Sequence, residues 1–257
     1  MFKLILGILI PFFGTCLGAF LVFFLKSKIS TKLNKIMLGF AAGVMIASSV
    51  WSLIIPSIKQ AESMGKLLFI PAVCGICFGV LFMLLLDNFC RQITFKAELK
   101  SDSFHKKKSL LFWAVTIHNI PEGMAVGVVL ASAYFGHSNI SLAAALAVSL
   151  GIAIQNIPEG AIVSLPLVSP EFSKRKAFFF GFLSGIVEPL FACATIFLTS
   201  IITPILPYLL AFAAGAMIYV SIDELIPESH ADDNSKISTI FFIIGFLIMM
   251  ILDIVLG

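Results

Sequence analysis

Charge is scarce in this sequence. Only 12% of its 257 residues are Asp, Glu, Lys or Arg, against 60% that are hydrophobic. A soluble domain carries about 25% charged and about 45–50% apolar residues. No core folded in water absorbs that excess, so a polytopic membrane protein is expected. Cysteine is sparse as well. The five cysteines (Cys16, Cys74, Cys77, Cys90, Cys193) lie in or at the ends of apolar stretches, which argues against a disulfide framework. Cys74-x-x-Cys77 reads as small apolar helix residues before it reads as a redox or soft-metal pair. There are four histidines and no His-Glu-x-x-His string, so the usual basis for an intramembrane metalloprotease is missing. A receptor that only senses its ligand would need a signalling domain, and none is expected within these residues.

What is abundant is apolar sequence in long runs. Eight candidate membrane helices are read near 4–25, 36–58, 67–89, 110–135, 140–165, 177–202, 205–228 and 237–256. Each is about 20 residues or more, enough for roughly 30 Å of hydrocarbon. The first run is longer than a usual signal core and four lysines follow it, so it is read as a span and not as a cleaved leader. The net charge is +3, but the basic residues are distributed by side of the membrane and not as a nucleic-acid patch. All of them except Lys3, Lys59 and Lys66 fall in the first, third, fifth and seventh connections. Positive residues stay cytoplasmic, so both termini are expected outside. The third connection, 90–109, is expected to be a flexible cytoplasmic loop; it holds one histidine, His105, and no metal-capturing tract.

The spans repeat one another. Phe40-Ala41-Ala42-Gly43-Val44-Met45-Ile46 in the second matches Phe212-Ala213-Ala214-Gly215-Ala216-Met217-Ile218 in the seventh. Gly-x-Leu-x-Met-x-x-Leu-Asp occurs at Gly79–Asp87 in the third and at Gly245–Asp253 in the eighth. His118-Asn119-Ile120-Pro121-Glu122-Gly123 in the fourth matches Gln155-Asn156-Ile157-Pro158-Glu159-Gly160 in the fifth. Spans one to three thus echo six to eight, and four echoes five, each pair crossing in opposite directions. The expected fold is one all-α membrane domain over 1–257, in a 3+2+3 arrangement with an inverted repeat, and a substrate site near the midplane.

The repeated string explains itself as a cation site. Glu122, Glu159 and Glu188 lie deep in apolar spans, where an ionised carboxylate costs several kcal/mol unless compensated. Basic residues are nearly absent from the spans, so salt bridges are not the general answer; a bound cation is. His118 and Glu122 are four apart on one helix face and Asn119 and Glu122 three apart, and Gln155, Asn156 and Glu159 repeat the spacing. Pro121 and Pro158 cannot donate to the carbonyls of Ile117 and Ile154, so each helix is expected to kink beside its ligands. Imidazole suits zinc, iron and other first-row ions. No thiolate accompanies the set, which favours an exchangeable site over a structural one. Glu188-Pro189 adds a third carboxylate, and Asp223 and Glu224 suggest a route to the cytoplasm. Ser52, with Ser48 and Ser49, lines the other half without charge. Asp87 and Asp253 read as interfacial residues at span ends, and helix–helix hydrogen bonding is the rival reading for Gln155 and Asn156.

With these strings the chain resembles the ZIP (Zrt/Irt-like) family of divalent-metal transporters over nearly its whole length, and its compact prokaryotic branch in particular. The resemblance implies a two-metal centre between spans four and five. One metal would use His118, Glu122, Gln155 and Glu159. The second would use Asn119, Asn156 and Glu188, with Glu122 and Glu159 bridging. It also implies alternating access between helix bundles, frequent homodimers, and divalent metal as substrate with no cofactor. Zn²⁺ is expected, with Fe²⁺, Mn²⁺ or Cd²⁺ as further substrates. Many relatives carry histidine at the position of Gln155 and some carry aspartate at that of Asn156; the neutral amides here lower the site's negative charge. The expected function is metal entry across the cell membrane, with the short connections pointing to a bacterial cytoplasmic membrane. The alternatives are an intramembrane metalloenzyme or a carrier of organic cations.

Overall fold

A computed structural model describes residues 2–24, 30–98, 103–135, 140–168, 172–201, 205–231 and 235–256. Within these, the side chains at 90–98, 103–111, 114, 115, 118, 166, 200, 201, 235 and 256 lie outside the description. So do the loop residues His137, Asp232 and Asp233.

The described chain is built of α-helices. In order they are α1 (Phe2–Phe20), α2 (Thr31–Ser48), α3 (Ile55–Gln60), α4 (Phe69–Glu98), α5 (Ser103–Phe135), α6 (Leu142–Ser164), α7 (Lys174–Gly185), α8 (Val187–Ile201), α9 (Leu206–Val220), α10 (Ile226–Ser229) and α11 (Ser235–Leu256). Seven helical runs among the described residues are long and apolar enough to cross a membrane: Phe2–Phe23, Thr31–Gln60, Phe69–Phe89, Leu142–Ser164, Lys174–Thr199, Leu206–Ser229 and Lys236–Val255. They match seven of the runs read from the sequence to within a few residues. The remaining run, with the first repeated string, falls in α5, which is not one of the seven. The stretch expected as a loop over 90–109 is helical up to Glu98 and again from Ser103.

Three helices are capped by serine. Ser30, Ser141 and Ser173 stand in extended conformation and accept hydrogen bonds from the backbone N–H of Leu33, Ala144 and Lys176. Neither Pro121 nor Pro158 interrupts its helix. Two π-helical turns lie in other runs. The α2–α3 run passes through a π-helical turn at Ser49–Ile54, and the α9–α10 run through another at Ser221–Leu225. Each turn opens with a serine whose hydroxyl donates back to a methionine carbonyl, Ser49 to Met45 at 2.8 Å and Ser221 to Met217 at 2.9 Å. Each is followed by a proline, Pro56 or Pro227, at the start of the next helix. Proline removes a helical donor and crowds the carbonyl four residues back; widening the preceding turn relieves that crowding.

Apolar side chains alone do not hold helices together in lipid, so close backbone approach has to. The most extensive pairings are α1 with α6, α2 with α11, α4 with α9, and α5 with α8. Glycine makes each of them. A Cβ on Gly43 would strike the Phe242 carbonyl of α11, and one on Gly245 would strike the Phe40 carbonyl of α2. A Cβ on Gly215 would strike the Ile76 carbonyl of α4, and one on Gly79 the Phe212 carbonyl of α9. Large apolar side chains such as Phe78, Leu85, Phe197 and Ile254 face outward instead, as a lipid-facing surface requires. Cys16, Cys74, Cys77 and Cys193 are free thiols.

Candidate metal centre

The two repeated strings lie on α5 and α6, and their glycines bring in two further helices. Gly123 of α5 sits against the Glu188 carbonyl at the start of α8, and Gly160 of α6 against the Thr15 carbonyl of α1. Residues beside these contacts are pulled inside. Asn119, Glu122, Gln155, Asn156, Glu159 and Glu188 are all buried, none more than 6% exposed. The carboxylates of Glu122, Glu159 and Glu188 are near enough to act on one another electrostatically, and Asn156 stands close to both Glu122 and Glu188. The structure therefore gathers six of the residues read as ligands; the side chain of the seventh, His118, lies outside the described residues.

The hydrogen bonds have a common form: each engages one polar end of a side chain and leaves the other end unpaired. Gln155 Nε2 donates to Glu122 Oε1 at 2.7 Å, while Gln155 Oε1 and Glu122 Oε2 have no partner. Asn119 Nδ2 donates to the Ser184 carbonyl at 2.9 Å, while Asn119 Oδ1 has none. Thr15 Oγ1 donates to Glu188 Oε1 at 2.5 Å, while Glu188 Oε2 has none. The Asn156 amide makes no hydrogen bond at either end. A buried polar atom without a partner costs about 1–3 kcal/mol, more when charged, and native interiors contain few. Here five unpaired oxygens come from adjacent side chains. Amide and carboxylate oxygens of this kind are donors for a cation. As the side chains stand, no group of three His, Cys, Asp or Glu among the described residues is arranged around a metal position.

Two of the residues read as a pathway have hydrogen bonds to residues outside this cluster. Ser52 is buried on the π-helical turn after α2 and donates to Asp253 Oδ1 of α11 at 2.6 Å. Asp253 is therefore not simply the interfacial residue expected from the sequence; its second oxygen is buried without a partner. Asp223 is exposed and accepts from the Tyr219 hydroxyl at 3.3 Å, and Glu224 is half-buried on the same turn. His230 contacts Ser229 and Thr239. Trp51 packs edge-on against Phe246. Sequence reasoning missed Thr15 and the Ser52–Asp253 bond. Thr15 sits between Gly14 and Gly18, whose spacing marks close helix contact but not its partner.

Residues 110–253 match the family model described as ZIP zinc transporter. The chain belongs to the ZIP family. It is 36% identical to the zinc transporter ZIP11 of Xenopus tropicalis, over 98% of this chain and 97% of that protein. It is 35% identical to the human zinc transporter ZIP11, over 100% and 98%, and 34% identical to the zinc transporter ZIPB of Bordetella bronchiseptica, over 98% and 81%. Vertebrate and bacterial ZIP proteins are thus similar to it in nearly equal measure, so the likeness is not specific to the compact prokaryotic branch. As a ZIP-family protein it is a transporter and not an enzyme, its substrate is a divalent metal ion, and it needs no cofactor.

Proposed function

We propose that this ZIP protein carries Zn²⁺, and with it Fe²⁺, Mn²⁺ or Cd²⁺, into the cytoplasm through a two-position site between α5 and α6. The observation that carries this reading is the set of buried, unpaired oxygens on Asn119, Glu122, Gln155, Asn156 and Glu188. In lipid such atoms need either a donor or a cation, and among the described residues no lysine or arginine acts on Glu122 or Glu188. His118, Glu122, Gln155 and Glu159 would hold one ion. Asn119, Asn156 and Glu188 would hold the other, with Glu122 and Glu159 shared. Each ion exchanges its water for these oxygens on entry, and a membrane potential negative inside favours a doubly charged ion by about 4.6 kcal/mol per 100 mV.

The wider reading is eight spans in a 3+2+3 inverted repeat, both termini outside, the connection at 90–109 in the cytoplasm, and a homodimer as the assembly. The repeat is supported by contacts as well as by strings. The α2–α11 pairing, made by Gly43 and Gly245, has its counterpart in the α9–α4 pairing, made by Gly215 and Gly79. The two serine-initiated π-helical turns also fall at matched positions.

Proteoliposomes holding the purified chain are expected to accumulate zinc down an imposed gradient, and protein-free vesicles are not. Equal accumulation in both would end the transport reading. In the same assay Gln155→His adds an imidazole to the first position and is expected to raise the preference for zinc over manganese by about ten-fold, since nitrogen ligands favour zinc. An unchanged preference would remove Gln155 from the ligand set.

A further inference from the structure

Glu188 is the third carboxylate of the cluster, and it stands on a helix that carries neither string. Its orientation is set by a residue 173 positions away, Thr15 of α1, whose hydroxyl donates to Glu188 Oε1. Thr15 is fully buried and Glu188 is 1% exposed, so no water competes for the bond. The surroundings lock Thr15 from several sides. Its carbonyl lies against Gly160 of the second string, and its Cβ and methyl lie where a Cβ on Gly185 of α7 would fall, at 2.9 and 3.0 Å. Thr15 therefore touches the α6 string, the end of α7 and the carboxylate at the start of α8.

Its position has a counterpart. Gly123 in the first string sits against the Glu188 carbonyl, and Gly160, its match in the second string, sits against the Thr15 carbonyl. Thr15 and Glu188 thus occupy equivalent places beside the two strings. One place holds a carboxylate and the other holds the hydroxyl that binds it.

We infer that Thr15 is a positioning residue for metal binding: its hydroxyl ties up Glu188 Oε1 and so presents Glu188 Oε2 to the cation as a single-oxygen ligand. When Glu188 is charged, as it is when it holds a cation, the Thr15 bond is charge-assisted and stronger than a neutral one. Losing it releases the carboxylate to rotate and leaves Oε1 without a donor in a dry interior, both of which disfavour the arrangement that binds metal. The inference rests on the metal-site reading above.

The test is equilibrium Zn²⁺ binding to the detergent-purified chain, measured beside Zn²⁺ flux in proteoliposomes. Thr15→Val keeps the shape and removes the donor; it is expected to weaken binding by about ten-fold, to raise KM for uptake in proportion, and to leave kcat within about two-fold. Thr15→Ser keeps the donor and is expected to bind within about two-fold of the wild type. In a Glu188→Gln background Thr15→Val is expected to cost little more, because the bond it removes has already lost its charge. Unchanged or tighter binding by Thr15→Val, equal losses in the serine and valine variants, or additive losses with Glu188→Gln would overturn the inference. A wild type that binds Zn²⁺ but does not move it would defeat the transport reading alone, and one that does not bind Zn²⁺ would defeat both.

Discussion

Glu122→Ala and Glu159→Ala are each expected to reduce zinc uptake at least about 100-fold while the protein still purifies as a folded, monodisperse species. The reason is electrostatic. Glu122 is fully buried, with one oxygen held by Gln155 and the other free, and Glu159 is 6% exposed on the facing helix. A divalent ion entering this site leaves its hydration shell, and of the proposed ligands the carboxylates alone supply opposite charge in the same dry volume to offset that loss. Removing one member of a buried, interacting charge set costs about 2–5 kcal/mol, and 3 kcal/mol is already more than a hundred-fold in affinity. The fold does not share this dependence. The α5–α8 and α6–α1 contacts are made by Gly123 and Gly160 and stay in place when either glutamate is truncated; Glu122→Ala removes, besides its ligand oxygens, one α5–α6 hydrogen bond, that from Gln155. Filter-binding uptake of radioactive zinc, paired with size-exclusion profiles, checks the prediction. Near-wild-type uptake in both variants would mean that the conduit does not pass between these helices.

What could be read beforehand follows the range of the interactions. Spans were legible because lipid enforces a long apolar run at each crossing, and most runs match their helices to a few residues at either end. The strings on α5 and α6 were legible because ligand spacing within one helix is a local property. Thr15 was not. Its role depends on α1 packing against α6 and reaching α8, and nothing local distinguishes a threonine that binds a carboxylate from one that binds the carbonyl a turn behind it. Thr116 and Thr199 show the contrast: they donate to the carbonyls four residues back, those of Phe112 and Thr195. The Ser52–Asp253 bond escaped for the same reason, since its partners are 201 residues apart. Proline position bears on where a membrane helix widens, but not alone. Pro121 and Pro158 stand inside continuous helices. The turns that widen are those ahead of Pro56 and Pro227, where a serine hydroxyl also competes for a backbone carbonyl. Proline alone does not decide where a membrane helix departs from α geometry; the polar side chains of the preceding turn contribute.

Gly123→Val and Gly160→Val are expected to prevent formation of the folded transporter, lowering Tm in detergent by more than about 10 °C or leaving only aggregate. A Cβ at either site would lie inside contact distance of a backbone carbonyl, that of Glu188 or of Thr15, and of the neighbouring Cα or amide nitrogen. A flexible side chain would move aside, but helix backbone moves only if the whole helix shifts. Overpacking a core by a methyl or two costs about 1–3 kcal/mol when side chains can adjust, so a rigid collision exceeds that range. Gly65 is the natural control. It holds φ at +59° and ψ at −123° in a turn and has nothing within 4 Å of an added Cβ, so Gly65→Ala is expected to cost about 1–3 kcal/mol, from that backbone conformation alone. Gly123→Ala tests the link between packing and transport most closely. One methyl forces α5 and α8 apart by the amount the carbonyl demands, and Glu122 and Glu188 ride on those helices beside the contact. Uptake by the Gly123→Ala protein that still folds is therefore expected to fall several-fold, with a Tm loss smaller than that of Gly123→Val, because site geometry tolerates less displacement than the fold does. A Gly123→Ala protein with full uptake and unaltered Tm would show that α5 and α8 do not approach as closely as the glycine implies, and the joining of Glu188 to the two strings would lose its structural basis.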